Sequence, residues 1–134
     1  MAPGLRRHLP APRPAQLGLA TVRDLQGHPI AGSSWEGFVV EQVLSHLPAD
    51  AHVGFYRTAA GAEIDLVIEQ RSRRVGIEIK FAAAPKPAKG FWQAADDLRL
   101  DKAFVMAPVE RPFALAAGVE VVPVSRAGAL LGVD

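Results

Sequence analysis

Cysteine is missing from all 134 residues, which excludes a disulfide framework, a thiolate metal site and a cysteine nucleophile. That usage agrees with a cytoplasmic protein. Long apolar runs are missing as well. No stretch approaches the roughly 20 residues that a membrane-spanning helix needs, so no membrane association is expected. Charge of one sign is also lacking: 15 Lys and Arg stand against 14 Asp and Glu, a net +1. Such a chain has no global field for nucleic acid, and any phosphate contact must be local. The four histidines, His8, His28, His46 and His52, show no metal-ligand spacing. No GxxxxGK[ST] run occurs, which excludes a Walker-type phosphate loop. A local Ser/His/Asp signature and internal repeats are absent too. Arg6-Arg7 is followed by LPAPRPAQ rather than an apolar segment, so export through a twin-arginine signal is rejected.

What is present is a chain that should fold. Hydrophobic residues make up 49% of it, and the length suits one domain with a real core. Residues 1–16, MAPGLRRHLPAPRPAQ, hold four prolines, three arginines and no acid. Proline at that density blocks helix and ladder alike, so a basic, disordered arm is expected before a domain over 17–134. From Leu17 to Ile30 the signal is weak, with a short helix ending before Pro29 as the reading. SSWEGFVVEQVLSHLP is an amphipathic helix, with Trp35, Phe38, Val39, Val43 and Leu47 at helical spacing, Ser33 or Ser34 as cap and Pro48 as stop.

HVGFYRT alternates as a strand, and AAGA turns into EIDLVIEQRSRRVGIEIK, residues 63–80, which reads as two strands joined by a polar hairpin. Alternation sends Ile64, Leu66 and Ile68 to one face, and Glu63, Asp65, Val67 and Glu69 to the other. Val75, Ile77, Ile79 and Phe81 likewise share a face opposite Gly76, Glu78 and Lys80. Pairing the apolar faces brings Asp65, Glu78 and Lys80 to the same side. A solvated outer face is the ordinary alternative for such charges. Strands are expected over 53–58, 62–69 and 75–81, a helix over 89–98, and a buried strand over 102–107. RPFALAAG reads as a turn of helix, VEVVPV as a final strand, and a short helix ends the chain. The expected fold class is α/β: an α-β-β-β-α-β mixed sheet flanked by helices.

Order and charges together resemble the PD-(D/E)xK, or restriction-endonuclease-like, superfamily. Asp65 matches its second-strand acid, and Glu78-Ile79-Lys80 its third-strand motif. Two converging carboxylates make a hard-oxygen site suited to Mg²⁺, with Mn²⁺ as an alternative. A Lys two residues beyond Glu78 points the same way, where it can orient a water or stabilise developing charge. The resemblance implies Asp65, Glu78 and the backbone carbonyl of Ile79 as metal ligands. Glu36, on the first helix, is the fourth catalytic candidate and a further candidate metal ligand. Yet Ser33-x-x-Glu36 also fits a capping box, and both roles stay open. Arg57 and Gln93 are candidate phosphate contacts, with an exposed edge or helix residue as the alternative for each. Glu63 is either a supporting acid or solvated. Lys86, Lys89 and Arg99 flank Phe91 and Trp92 in a basic-aromatic mix, although helical spacing favours core for the two rings.

A narrower resemblance covers roughly residues 25–125. HPIAGSSWEGFVVEQVL, FYRTAAGAEIDLVIE and VGIEIKFAAAP look like the uncharacterised C-terminal domain that follows an AAA-type ATPase domain in prokaryotic ATP-binding proteins. It implies the nuclease-like fold and supports Glu36, Asp65, Glu78 and Lys80 as matched positions. The ATPase half is not in this chain, and ATP hydrolysis is not carried over. The expected function is a Mg²⁺-dependent DNA phosphodiesterase, with DNA as partner and a homo-oligomer left open. The alternative is a non-catalytic nucleic-acid-recognition or assembly module on the same fold.

Overall fold

The computed structural model describes residues 18–21 and 35–130. The basic arm over 1–16, most of the segment read as a helix before Pro29, and the Ser33 and Ser34 caps lie outside the described residues. Within 17–30 one correction is clear: Gly18–Thr21 forms a strand, β1, rather than helix. It pairs antiparallel with β2 (His52–Arg57), and that cross-strand partner decides the local conformation over a weak helical signal.

Helix α1 (Trp35–Ser45) forms where expected, but Phe38, read as part of its apolar spacing, is 44% exposed. Its buried Val39 and Val43 are four apart and so share one face. The last turn tightens into i→i+3 bonds, His46 N to Val43 O and Leu47 N to Leu44 O, before Pro48 ends it. Strands β2, β3 (Glu63–Gln70) and β4 (Arg73–Ile79) form an antiparallel meander. Helix α2 (Lys89–Leu98) then crosses over to β5 (Lys102–Met106), which lies parallel to β4. Strands β6 (Phe113–Ala116) and β7 (Val119–Val122) follow, and a 3-10 helix spans Val124–Ala129. The sheet has seven strands in the order β1-β2-β3-β4-β5-β7-β6. It is the expected mixed α/β sheet with helices against its faces.

RPFALAAG is the second correction. Phe113–Ala116 is an edge strand, turned back at Gly118 (φ 77°) onto β7. Alanine-rich composition favours helix only weakly, and antiparallel pairing with β7 outweighs it.

Two cores sandwich the sheet. On one face α1 and the 3-10 helix cover Val53, Leu66, Ile68, Val75, Ile77, Ile79, Phe104 and Met106. On the other, Phe91, Ala94 and Leu98 of α2 cover Tyr56, Ile64, Val67, Val105 and Val121. Covering both faces explains why the central strands are apolar almost throughout. Each fully buried Val, Leu, Ile or Phe among them contributes about 1.5–3 kcal/mol.

Alternation misassigns Ile64. The β2–β3 register runs Gly54↔Val67 but then Tyr56↔Ile64, so Asp65 and Leu66 together oppose Phe55. This one-residue bulge moves Ile64 onto the α2 face beside Tyr56 and Val67, away from Leu66 and Ile68. Phe81 stays on the side of Ile77 and Ile79, against Trp35, but is not buried there. The strand ends at Ile79, and Phe81 is 75% exposed.

The glycine of the turn before β3 explains a motif. In FYRTAAGA, Thr58 and Ala62 exchange bonds across the turn, and Thr58 Oγ1 accepts the Ala62 N–H at 3.1 Å. Gly61 takes a positive φ of 103°. A Cβ on Gly90, in the first turn of α2, would lie 2.2 Å from the Gly61 carbonyl oxygen. That close approach seats α2 against the entry to β3.

Candidate active site

The β3–β4 ladder ends at Leu66↔Ile77. One step further along the same register, Asp65 stands opposite Glu78, and the strands no longer pair through their backbones. The Asp65 carboxylate fills the gap: its Oδ2 accepts the Ile79 N–H at 2.9 Å. The bulge at Asp65–Leu66 is what re-aims this side chain toward β4. On its other side β4 stays fastened to β5, through Ile79↔Met106 and then Lys80 N to Met106 O at 3.0 Å.

Glu78 is the buried charged residue of the described core, 7% exposed. Gly76, two residues earlier on the same face, is packed by Leu100 and Ile64, so that face lies under α2 rather than in solvent. The solvated-face alternative therefore does not describe Glu78. Its carboxyl is pushed up to about 7, first by burial and then by the nearby Asp65 charge, while the Lys80 ammonium works in the opposite direction. Lys80 Nζ lies 3.8 Å from Glu78 Oε2. Glu78 Oε1 is buried and has no hydrogen-bond partner. Desolvated oxygens of this kind are costly unless something pairs with them.

The structure thus brings together Asp65, Glu78, Ile79 through its backbone, and Lys80. A hard divalent cation fits the orphaned Glu78 oxygen and its neighbouring carboxylate, because Mg²⁺ binds through one or two carboxylates and keeps several waters. Among the described residues, no group of three or more His, Cys, Asp or Glu side chains is placed to hold a metal ion. Glu36 does not complete such a set with Asp65 and Glu78; it is exposed in the first turn of α1.

The other candidates sit apart. Arg57 is exposed at the end of β2, paired in register with the exposed Glu63 and set 5.4 Å over the Phe55 ring. Gln93 donates to Asp97 Oδ1 at 2.9 Å, one helical turn further along α2. Asp97 Oδ2 also accepts the hydroxyl of the fully buried Tyr56 at 3.1 Å. Burial, then Asp97, raises the Tyr56 hydroxyl to about 12. This Tyr56–Asp97–Gln93 chain ties α2 to β2. Gln93-x-x-x-Asp97 spacing was its only signal in the sequence. Of the flanking aromatics Phe91 is core as expected, whereas Trp92 is 38% exposed and meets Phe91 edge-on at 5.1 Å.

A second aromatic group was not legible as such. Trp35 contacts Phe38 at 6.1 Å and Phe81 at 5.4 Å between ring centroids. The breaker-rich AAAP after Phe81 was the available sign that this residue had left the strand.

Residues 31–127 match a family described as "Domain of unknown function (DUF4143)". Over 107 residues, 80% of this chain, the sequence is 37% identical to "Uncharacterized protein Rv2008c" of Mycobacterium tuberculosis and equally to "Uncharacterized protein Mb2031c" of Mycobacterium bovis. The matched region is 24% of each relative, so the chain spans about a quarter of their length. No solved structure matches. Among the described residues no helix is long and apolar enough to cross a membrane.

Proposed function

This chain belongs to the DUF4143 family of domains of unknown function, and we propose that its site is that of a divalent-metal-dependent phosphodiesterase acting on DNA, of the PD-(D/E)xK type. One observation carries the reading: a buried Glu78 with an unpartnered oxygen, set against Asp65 and 3.8 Å from Lys80. Burying the Glu78 carboxyl with an unpartnered oxygen beside the half-buried Asp65 costs the fold stability. A cation between them offsets that cost.

Asp65, Glu78 and the Ile79 carbonyl would hold Mg²⁺ or Mn²⁺, which when bound supplies a Lewis acid for a phosphate oxygen. Lys80 orients the attacking water and offsets negative charge as it builds on the phosphate. The water oxygen bonds to phosphorus and gives up a proton to solvent, the ester P–O bond breaks, and the departing oxygen takes a proton from solvent. Glu36 on α1 is the further candidate for base or additional ligand, although its exposed carboxylate does not converge with Asp65 and Glu78.

Asp65→Asn is the informative variant, since its amide oxygen still accepts the Ile79 N–H while its charge is gone. Calorimetric titration with Mn²⁺ should show one site in the wild type and none in Asp65→Asn. Cleavage of single-stranded, duplex and branched DNA should fall at least a hundredfold with it. A second reading, a non-catalytic recognition or assembly module, draws on the convergence of two carboxylates rather than three. DNA binding without metal-dependent cleavage, unchanged in Asp65→Asn, would select that reading.

A further inference from the structure

The loop between β4 and α2 is placed beside the carboxylate site by both of its ends. It leaves β4 at Lys80, two residues beyond Glu78. It lands at Gly90 of α2, which is packed against the Gly61 carbonyl and the Glu63 amide. Glu63 lies two residues before Asp65 on β3. One end of the loop therefore adjoins each acid.

From Ile79 to Ala95 the chain carries Lys80, Lys86 and Lys89 and no Asp or Glu. Lys86 and Lys89 are exposed, and among the described residues neither has an ion-pair partner. Lys86 stands between Pro85, which is buried, and the half-buried Pro87. Each proline ring fixes its own φ and confines the residue before it to an extended backbone. The backbone that carries Lys86 is thus set before a ligand arrives, which lowers the entropy lost on binding. A single exposed lysine is ordinarily solvated. Two unpaired ones on an acid-free loop that adjoins two carboxyls make a local positive field.

The site itself says what that field fits. Asp65 and Glu78 set two carboxyls against the one ammonium of Lys80, so a phosphodiester is repelled until cations offset them. A bound metal ion answers for the phosphate being cut. Each strand of DNA carries a further phosphate roughly every 3.4 Å of helix axis on either side. Resting on the phosphodiesterase reading, we infer that Lys86 and Lys89 are positioning residues that hold the backbone phosphates flanking the one at Asp65 and Glu78. They act on phosphate alone and carry no base preference. An acidic peptide is the competing ligand for the same two lysines.

The binding test uses the full chain carrying Asp65→Asn, without divalent metal, so that nothing is cut. Fluorescence anisotropy follows a labelled duplex of about 20 base pairs as salt rises from about 50 to 200 mM. Lys86→Gln and Lys89→Gln should each lower the slope of log Kd against log salt by about 0.9, whatever the base sequence. Lys86→Arg and Lys89→Arg should keep it. Arg73, exposed at the far end of β4 and roughly 23 Å from Lys80 along the strand, is the control. Arg73→Gln should leave the slope unchanged. With Asp65 intact and Mg²⁺ present, the two Gln variants should raise KM several-fold and leave kcat near its starting value. Contacts made equally before and during the reaction have that signature. Both side chains are exposed, so urea midpoints should not move. Slopes that ignore Lys86 and Lys89, an equal fall with Arg73→Gln, or no detectable binding would overturn the inference. So would a labelled polyglutamate peptide that binds as tightly as the duplex. The two ideas fail separately. Slopes that fall with both lysines in a protein that cuts no DNA would keep the phosphate contacts and remove the nuclease. Metal-dependent cleavage whose KM ignores both lysines would do the reverse.

Discussion

Glu78 couples folding to pH with a definite sign. Its carboxyl rises from an ordinary value of 4.5 to about 7 in the fold. Between those values the folded protein holds a proton that the unfolded chain has released. Stability is therefore fully present below about 4.5 and is lost as pH rises through 7, by up to about 3 kcal/mol. Urea denaturation of the metal-free protein at pH 5, 6, 7 and 8 should show this decline. Glu78→Gln, neutral throughout, should flatten it. Metal binding should run the other way, with affinity rising through pH 7 as the ion displaces the Glu78 proton. At Tyr56, removing the hydroxyl strips Asp97 of its buried donor. Tyr56→Phe should cost about 1 kcal/mol and leave metal binding unchanged, as thermal unfolding and calorimetry would show. The site acids themselves were legible, because a strand gives each residue a face and Glu78 and Lys80 share one. Their partner Asp65 was legible as a site acid on the same side, but not in its aim at the Ile79 N–H. Its aim depends on a bulge, and one extra residue in a strand leaves no mark on composition or period.

Among the elements, α2 shows two backbone positions with opposite expectations. Its C-terminus closes with Arg99 N to Asp96 O and Leu100 N to Ala95 O, with Arg99 itself in the left-handed region at φ 53° and ψ 54°. Glycine is the usual residue there. Arg99→Gly should therefore stabilise the protein by about 0.5–1 kcal/mol, read as a higher midpoint in urea. Gly90, at the other end, cannot take a Cβ without colliding with the Gly61 carbonyl. Gly90→Ala should destabilise by about 2–3 kcal/mol and push α2 off the turn before β3. The β3–β4 hairpin, the crossover helix and β5 were readable, since apolar period and breakers agree over those stretches. β6 was not. FALA carries no alternation of polar and apolar residues, and only its neighbour β7 makes it a strand.

Across the whole molecule, the strands covered on both faces should open last. Amide hydrogen exchange should be slowest in β3, β4 and β5 and fastest at the edges, β1 and β6. The carboxylate of Asp65 belongs to this same framework, because it supplies the acceptor that the backbone fails to give the Ile79 N–H. That double duty bears on how the family can decay. A lineage released from the proposed chemistry would be free to lose Lys80 at once, and would gain stability by trading Glu78 for an apolar residue. Losing Asp65 instead exposes an unpaired amide in the centre of the sheet, so selection for mere folding keeps it. Under the proposed phosphodiesterase reading, inactive descendants should therefore still carry the aspartate, and retention of the glutamate and lysine, not of the aspartate, should accompany activity.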